Sequence, residues 1–218
     1  MSLDTFAQDG NYFLVRDLEV WSAAKLKYKI NKNWAIRLDQ QFRFNDNAST
    51  IDNYFTELDI KRKLGKHFST ALGARYIKNN DTQGTIQGYE TFFRWNSDVA
   101  FKHKVKRFLL QYRVRYQAKN ELVVEDESNK TFRFQFESEY NIKKSGITPQ
   151  FSTEIFNDYG DHQGFNKIRF TLGTTYKLKN MGKINAFFRM EKELLTAYPV
   201  TTNIIGIAYQ YTFKHKKK

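Results

Sequence analysis

No cysteine occurs in the 218-residue chain, which excludes a disulfide framework and thiolate metal sites. Proline appears only twice, the eleven glycines are scattered and no low-complexity tract is present, so the expectation is one folded domain without a linker. Long apolar runs are missing too. Nothing approaches the roughly 20 consecutive apolar residues of a transmembrane helix, and no segment prefers the helical period. The first ten residues, MSLDTFAQDG, lack the basic start and apolar stretch of a full secretory signal. Within them TFAQ, with Ala7 just ahead of Gln8, resembles the residues before a cleavage point, as though an apolar leader had been removed. An ordinary terminus reads equally well.

What is abundant is aromatic. Phe, Trp and Tyr make up 17% of the chain, yet mean hydropathy is −0.68. A soluble globule seldom pairs so many rings with so little aliphatic core. A transmembrane β-barrel does, because only every second strand residue meets lipid and a polar lumen dilutes the average.

The alternation behind that reading is plain in FLLQYRVRYQ, where Phe108, Leu110, Tyr112, Val114 and Tyr116 interleave with Gln111, Arg113, Arg115 and Gln117. The same two-residue period recurs over 18–30, 34–45, 53–62, 68–78, 89–102, 107–117, 131–142, 147–157, 167–178, 184–190 and 202–213, eleven candidate strands with 53–62 the weakest. Strands of roughly 9–11 tilted residues cross a bilayer, whereas soluble strands average about 5–6. Tight turns at 31–33, 64–66, 103–106, 144–146 and 180–182 take turns with longer polar loops at 46–52, 79–88, 118–130, 158–166 and 194–201. An up-and-down transmembrane barrel alternates in this way, with short turns in the periplasm and long loops outside. The formal charge of +13 gathers at the short-turn end in Lys32, Lys63, Lys66, Lys104, Lys144 and their neighbours, and a basic rim there suits anionic headgroups.

The fold expected is therefore all-β, an antiparallel up-and-down barrel of about 10–12 strands over 18–213, with 1–17 an N-terminal segment and 214–218 a basic tail. Bacterial barrels normally close with an even count. Either residues 9–16 add a twelfth strand, or 53–62 stands outside the wall. Leu38, Phe42, Leu110, Val114, Phe132, Phe134, Phe136, Ile205 and Ile207 are expected to face lipid, and rings near strand ends, such as Trp34, Phe68 and Tyr140, to sit at the headgroups. The opposite face carries Arg37, Arg43, Arg113, Arg115, Arg133, Glu137, Glu139 and Arg169, together with Asp39, Glu57, Asp59, Arg75, Arg94, Asp98, Glu154, Arg189 and Glu191. So many charges cannot meet hydrocarbon. They line either a wet bore whose fixed charge selects small solutes or an interior that pairs and blocks itself. If the bore is open, it conducts in discrete steps that respond to Arg115→Glu.

The stretch WSAAKLKYKINKNWAIRLDQQFRFNDNASTIDNYFTELDIKRKLGKHFSTALGARYI resembles an uncharacterised outer-membrane β-barrel family of Bacteroidetes-type bacteria, domain of unknown function 2490. KIRFTLGTTYKLKN and the closing IGIAYQYTF are similar to its last strands. The resemblance implies the outer membrane of a Gram-negative bacterium, and brings no catalytic residue or cofactor.

His67, His103, His162 and His215 fall in turns, a loop or the tail, so no strand sets a His beside a Ser or a carboxylate, and no enzyme is expected. Glu137 and Glu139 share a face and are expected to form salt bridges to Arg113, Arg115 or Arg133 rather than an acid–base couple. NDYGDHQG and EDES carry oxygen ligands, but their spacing matches no calcium loop. No metal or cofactor is expected. Nucleic acid is not an expected partner, because the rings lie on the face opposite the charges and cannot combine a stacking platform with a phosphate groove. The second reading is a soluble lipocalin-like barrel enclosing an apolar ligand, which requires the inverse arrangement, apolar inside and charged outside.

Overall fold

The structure, a computed structural model, describes residues 16–81, 87–123, 128–159, 164–196 and 199–214. They form β1 (Arg16–Lys29), β2 (Trp34–Asn45), β3 (Thr50–Leu64), β4 (Phe68–Asp81), β5 (Gly88–Val105), β6 (Phe108–Glu121), β7 (Asn129–Tyr140), β8 (Ile147–Tyr159), β9 (Gly164–Leu178), β10 (Gly182–Glu193) and β11 (Thr201–Lys214). Each pairs with its neighbours in sequence, and β1 meets β11 to close a barrel. The weakest predicted strand, 53–62, is the middle of β3 and part of the wall. Residues 9–15 and the TFAQ segment lie outside the described residues.

Eleven strands in a meander make the closing geometry unavoidable, because with an odd count the first and last strands run the same way. The seam is accordingly parallel, with fourteen register partners from Arg16↔Thr201 to Lys29↔Lys214, while every other pairing is antiparallel. Among the described residues neither an even count nor the antiparallel closure that goes with it is realised. The seam also puts the start of β1 at the long-loop end and the finish of β11 at the short-turn end.

The seam can be tested on a chain that has no cysteine of its own. Ser22 and Ile207 are register partners across it. Neighbouring strands place such Cα atoms within the roughly 4.4–6.8 Å a disulfide spans, and an intervening strand would separate them by about 9–10 Å. The double variant Ser22→Cys/Ile207→Cys is expected to lose its free thiols on mild oxidation and to shift in non-reducing gel mobility. Persistent thiols would place another strand between them.

The strands outrun the sequence expectation at the long-loop end. Asn79–Asp81 and Ala118–Glu121 continue their ladders instead of looping, with Asn53↔Asn79, Asp81↔Gly88 and Lys119↔Asn129 paired. The expected loop 46–52 shrinks to a turn at 46–49, where Asp46, Asn47 and Ala48 adopt positive φ. Alternation is weaker there, but the backbone still needs partners and extends the ladder.

The two faces of the wall differ sharply. On the outer face, register aligns Val99, Val114, Phe134, Ile155 and Ile168 as one apolar row across β5–β9. Phe101, Tyr112 and Phe136 form an aromatic row on its short-turn side and Tyr116 and Phe132 one on the other, with ring centroids 5.3 Å apart for Tyr112–Phe136 and 5.1 Å for Tyr116–Phe132. Among the described residues, the buried set comprises fourteen polar or charged side chains against eight apolar ones, and all but Thr91 and Ala118 occupy the inner register. A barrel built round an apolar ligand needs the reverse, so the lipocalin-like arrangement is not the one present.

A charged belt as the candidate functional site

Register alone brings opposite charges together inside the barrel. Lys25↔Asp39, Arg37↔Asp59, Glu57↔Arg75, Asp98↔Arg115, Glu154↔Arg169 and Arg169↔Glu191 are directly opposed on neighbouring strands, and each is an ion pair. Facing positions of a sheet hold Cβ atoms about 4.5–5.5 Å apart, within reach of a guanidinium and a carboxylate. Gly73 clears space in the same layer. A Cβ there would stand 2.6 Å from Asp59 Oδ1 and 2.7 Å from Asn96 Oδ1.

Two glutamates gather several arginines each. Glu154, its side chain 3% exposed, accepts from Arg113 at 2.8 Å, from Arg133 at 2.7 and 3.1 Å, and from Arg169 at 3.1 Å. Arg113 belongs to β6, so its bond to β8 reaches past β7. Glu57 accepts from Arg75 and from Arg94 at 2.8 Å, the latter reaching past β4 from β5, and Arg37 Nη2 lies 3.7 Å from it. Arg115 grips Asp98 in a two-pronged fork at 2.7 and 2.8 Å, and Arg113 stands 3.9 Å from that same aspartate. Bidentate guanidinium–carboxylate pairing fixes geometry as well as charge.

Aromatic rings complete the belt. Arg43 lies over Trp21 at 3.7 Å and faces Phe55 at 5.1 Å, while Arg75 covers Phe55 at 3.5 Å. Arg133 and Arg169 flank Phe156 at 4.5 and 4.7 Å, and Arg189 approaches Trp21 at 4.8 Å. These cation–π contacts set rings among the ion pairs.

The sequence-derived residues fall into this geometry unevenly. Arg37, Arg113, Arg115, Arg133 and Arg169 stand in the belt's ion pairs, and Arg43 is held by its rings. Glu137 and Glu139 do not make the expected bridges to Arg113, Arg115 or Arg133, because Glu154 and Asp98 already engage those guanidiniums. Glu139 instead sits 3.5 Å from Lys102, and Glu137 lines a cavity on the short-turn side. On the outer face Leu38, Phe42, Val114, Phe132, Phe134, Ile205 and Ile207 are exposed, and Leu110 and Phe136 half-buried among neighbouring side chains. Trp21, Phe55 and Phe156 were missed, though each is an apolar residue on an otherwise charged face, a break in the alternation that marks it. His67 Nδ1 donates to the carbonyl of Lys102, 3.0 Å away, and His103 stacks on Tyr112. Asp161, His162, Glu125 and His215 lie outside the described residues. Among the described residues no group of His, Asp or Glu could hold a metal ion.

A family model described as "Protein of unknown function (DUF2490)" matches residues 18–193. The chain belongs to the DUF2490 family. That match runs from the third residue of β1 to the last of β10, so it includes every ion pair of the belt and stops short of β11. No curated protein matches the chain.

Proposed function

We propose that this DUF2490 protein is an outer-membrane barrel of a Gram-negative bacterium whose lumen is closed by its own charged belt, a structural wall without a continuous bore or catalytic chemistry. The belt is the observation that carries the closure. Arginines reach past intervening strands to Glu57 and Glu154, and rings of Trp21, Phe55 and Phe156 lie among the ion pairs. Membrane placement is supported by the aligned apolar row, the aromatic rows beside it and strands of 12–18 residues, the pattern by which a barrel wall meets hydrocarbon between two interfaces. A backbone paired around the full circumference leaves no edge for lipid to penalise. On this reading the outer row and aromatic rows face lipid, and the closed lumen leaves small solutes no passage.

Planar bilayers test the closure. Refolded wild-type protein is expected to insert without discrete conductance steps. The double variant Asp98→Ser/Arg115→Ser, which removes a cation and an anion together and so strands neither, is expected to show steps. Steps from the wild type would overturn the closed reading, and a chain that stays monomeric in water without detergent would overturn the membrane.

A further inference from the structure

We infer that the short-turn mouth of the barrel is a binding cup for small multivalent oxyanions of the phosphate type. The mouth is a cavity of about 1180 Å³ lined by Lys27, Lys29, Lys32, Lys61, Lys63 and Lys102, with no carboxylate among its lining residues and Glu139 beside it at 3.5 Å from Lys102. Five of these lysines belong to strands, and each occupies the inner register. Lys27 and Lys29 continue the side of β1 that holds Trp21 and Lys25, Lys61 and Lys63 the side of β3 that holds Glu57 and Asp59, and Lys102 the side of β5 that holds Arg94 and Asp98. Lysines serving anionic lipid headgroups would project from the outer register, where Tyr28, Ile60 and Phe101 stand instead.

Below the mouth the cup deepens into a second space of about 330 Å³ that shares Lys27, Ala35 and Lys61 with it. Small side chains make that room. Lys29, Ala35, Lys61 and Ala71 follow one another across β1–β4 by register, and Lys63 faces Ser69, so ammonium groups alternate with gaps they can reach into. The floor is the belt itself. Asp59 and Asp98 there are held by Arg37 and Arg115, and Glu137 also lines this space. Arg113 lines it too, its guanidinium turned to Glu154 and Asp98. A cup with cations from three strands concentrates field on its axis, and a compact polyanion engages several lysines at once where a chloride meets one. The cup is read from the inner register, so it stands whether or not the belt blocks the lumen above it.

Calorimetric titration of detergent-refolded full chain with inorganic tripolyphosphate tests the site. Wild type is expected to bind, and Lys61→Gln/Lys63→Gln to weaken binding by about tenfold or more. Lys143→Gln/Lys144→Gln, in the β7–β8 turn at the same end but outside the lining, is expected to bind as wild type does. Equal losses in both variants, or no binding by folded wild type, would overturn the inference in favour of diffuse rim charge. Lipid nanodiscs separate the two sources of phosphate. If phosphatidylglycerol discs weaken tripolyphosphate binding relative to phosphatidylcholine discs, and do so only while Lys61 and Lys63 are present, the occupant is a headgroup and the free-anion assignment fails.

Discussion

Glu154→Ala is expected to destabilise the barrel by about 3–5 kcal/mol, the cost of leaving buried charge without its partner. Glu154 is the one carboxylate that Arg113, Arg133 and Arg169 share, and Arg133 and Arg169 already crowd Phe156. Removing it leaves three guanidiniums converging on a site with no anion. Arg169 keeps Glu191 at 2.6 Å and Arg113 keeps a distant approach to Asp98, so Arg133 loses most. Adding Arg133→Ala to Glu154→Ala should therefore recover part of the loss, a positive coupling that two independent sites would not show. Glu139→Ala is the control. Its partner Lys102 lies 3.5 Å away with side chains 36% and 30% exposed, and an ion pair so open to water contributes under about 1 kcal/mol. Urea unfolding in detergent micelles, followed by the loss of heat-modifiable gel mobility, measures all three. A Glu154→Ala midpoint equal to that of Glu139→Ala would mean that water, not arginine, satisfies the belt.

The strands were legible because a period of two survives any register. Phe132, Phe134 and Phe136 announce an outer face whichever strand they pair with, and all eleven strands fall within a few residues of their alternating segments. The hubs were not legible. Glu57 and Glu154 look like any other acid on the charged side of a strand, and what singles them out is the position of Arg94 and Arg113 two strands away, a property of register and barrel curvature. For the same reason Glu137 and Glu139, neighbours on one face and close in sequence to Arg133, suggested bridges that the register assigns elsewhere. The parallel seam was hidden differently. Local alternation counts strands but says nothing about whether the last one meets the first, and the odd count became a closure only when Val20 was found opposite Ile205. Trp21, Phe55 and Phe156 were readable in principle, since a large ring on a charged face calls for a cation to cover it.

Val114→Arg should separate a membrane wall from a water-bathed one by the size of its effect. Val114 is 45% exposed and lies mid-row between Val99 and Phe134, with Tyr112 and Tyr116 two residues to either side. If that row is the middle of a hydrocarbon layer, a guanidinium there costs about 2–4 kcal/mol, because the charge must either stay in lipid or bend its side chain toward an interface. On a barrel surrounded by water, the same change at a half-exposed position falls within about 0.5 kcal/mol of zero. Val123→Arg supplies the depth control. Val123 is 80% exposed in the β6–β7 connection, beyond the end of β6 and its aromatic row, so an added charge there should be neutral in either medium. Reversible unfolding from lipid vesicles is the measurement that decides. A Val114→Arg penalty no larger than that of Val123→Arg would take the apolar row out of the bilayer, while a large penalty confined to Val114 would fix the barrel's depth as well as its orientation, since only a midplane position pays the full cost of a stranded cation.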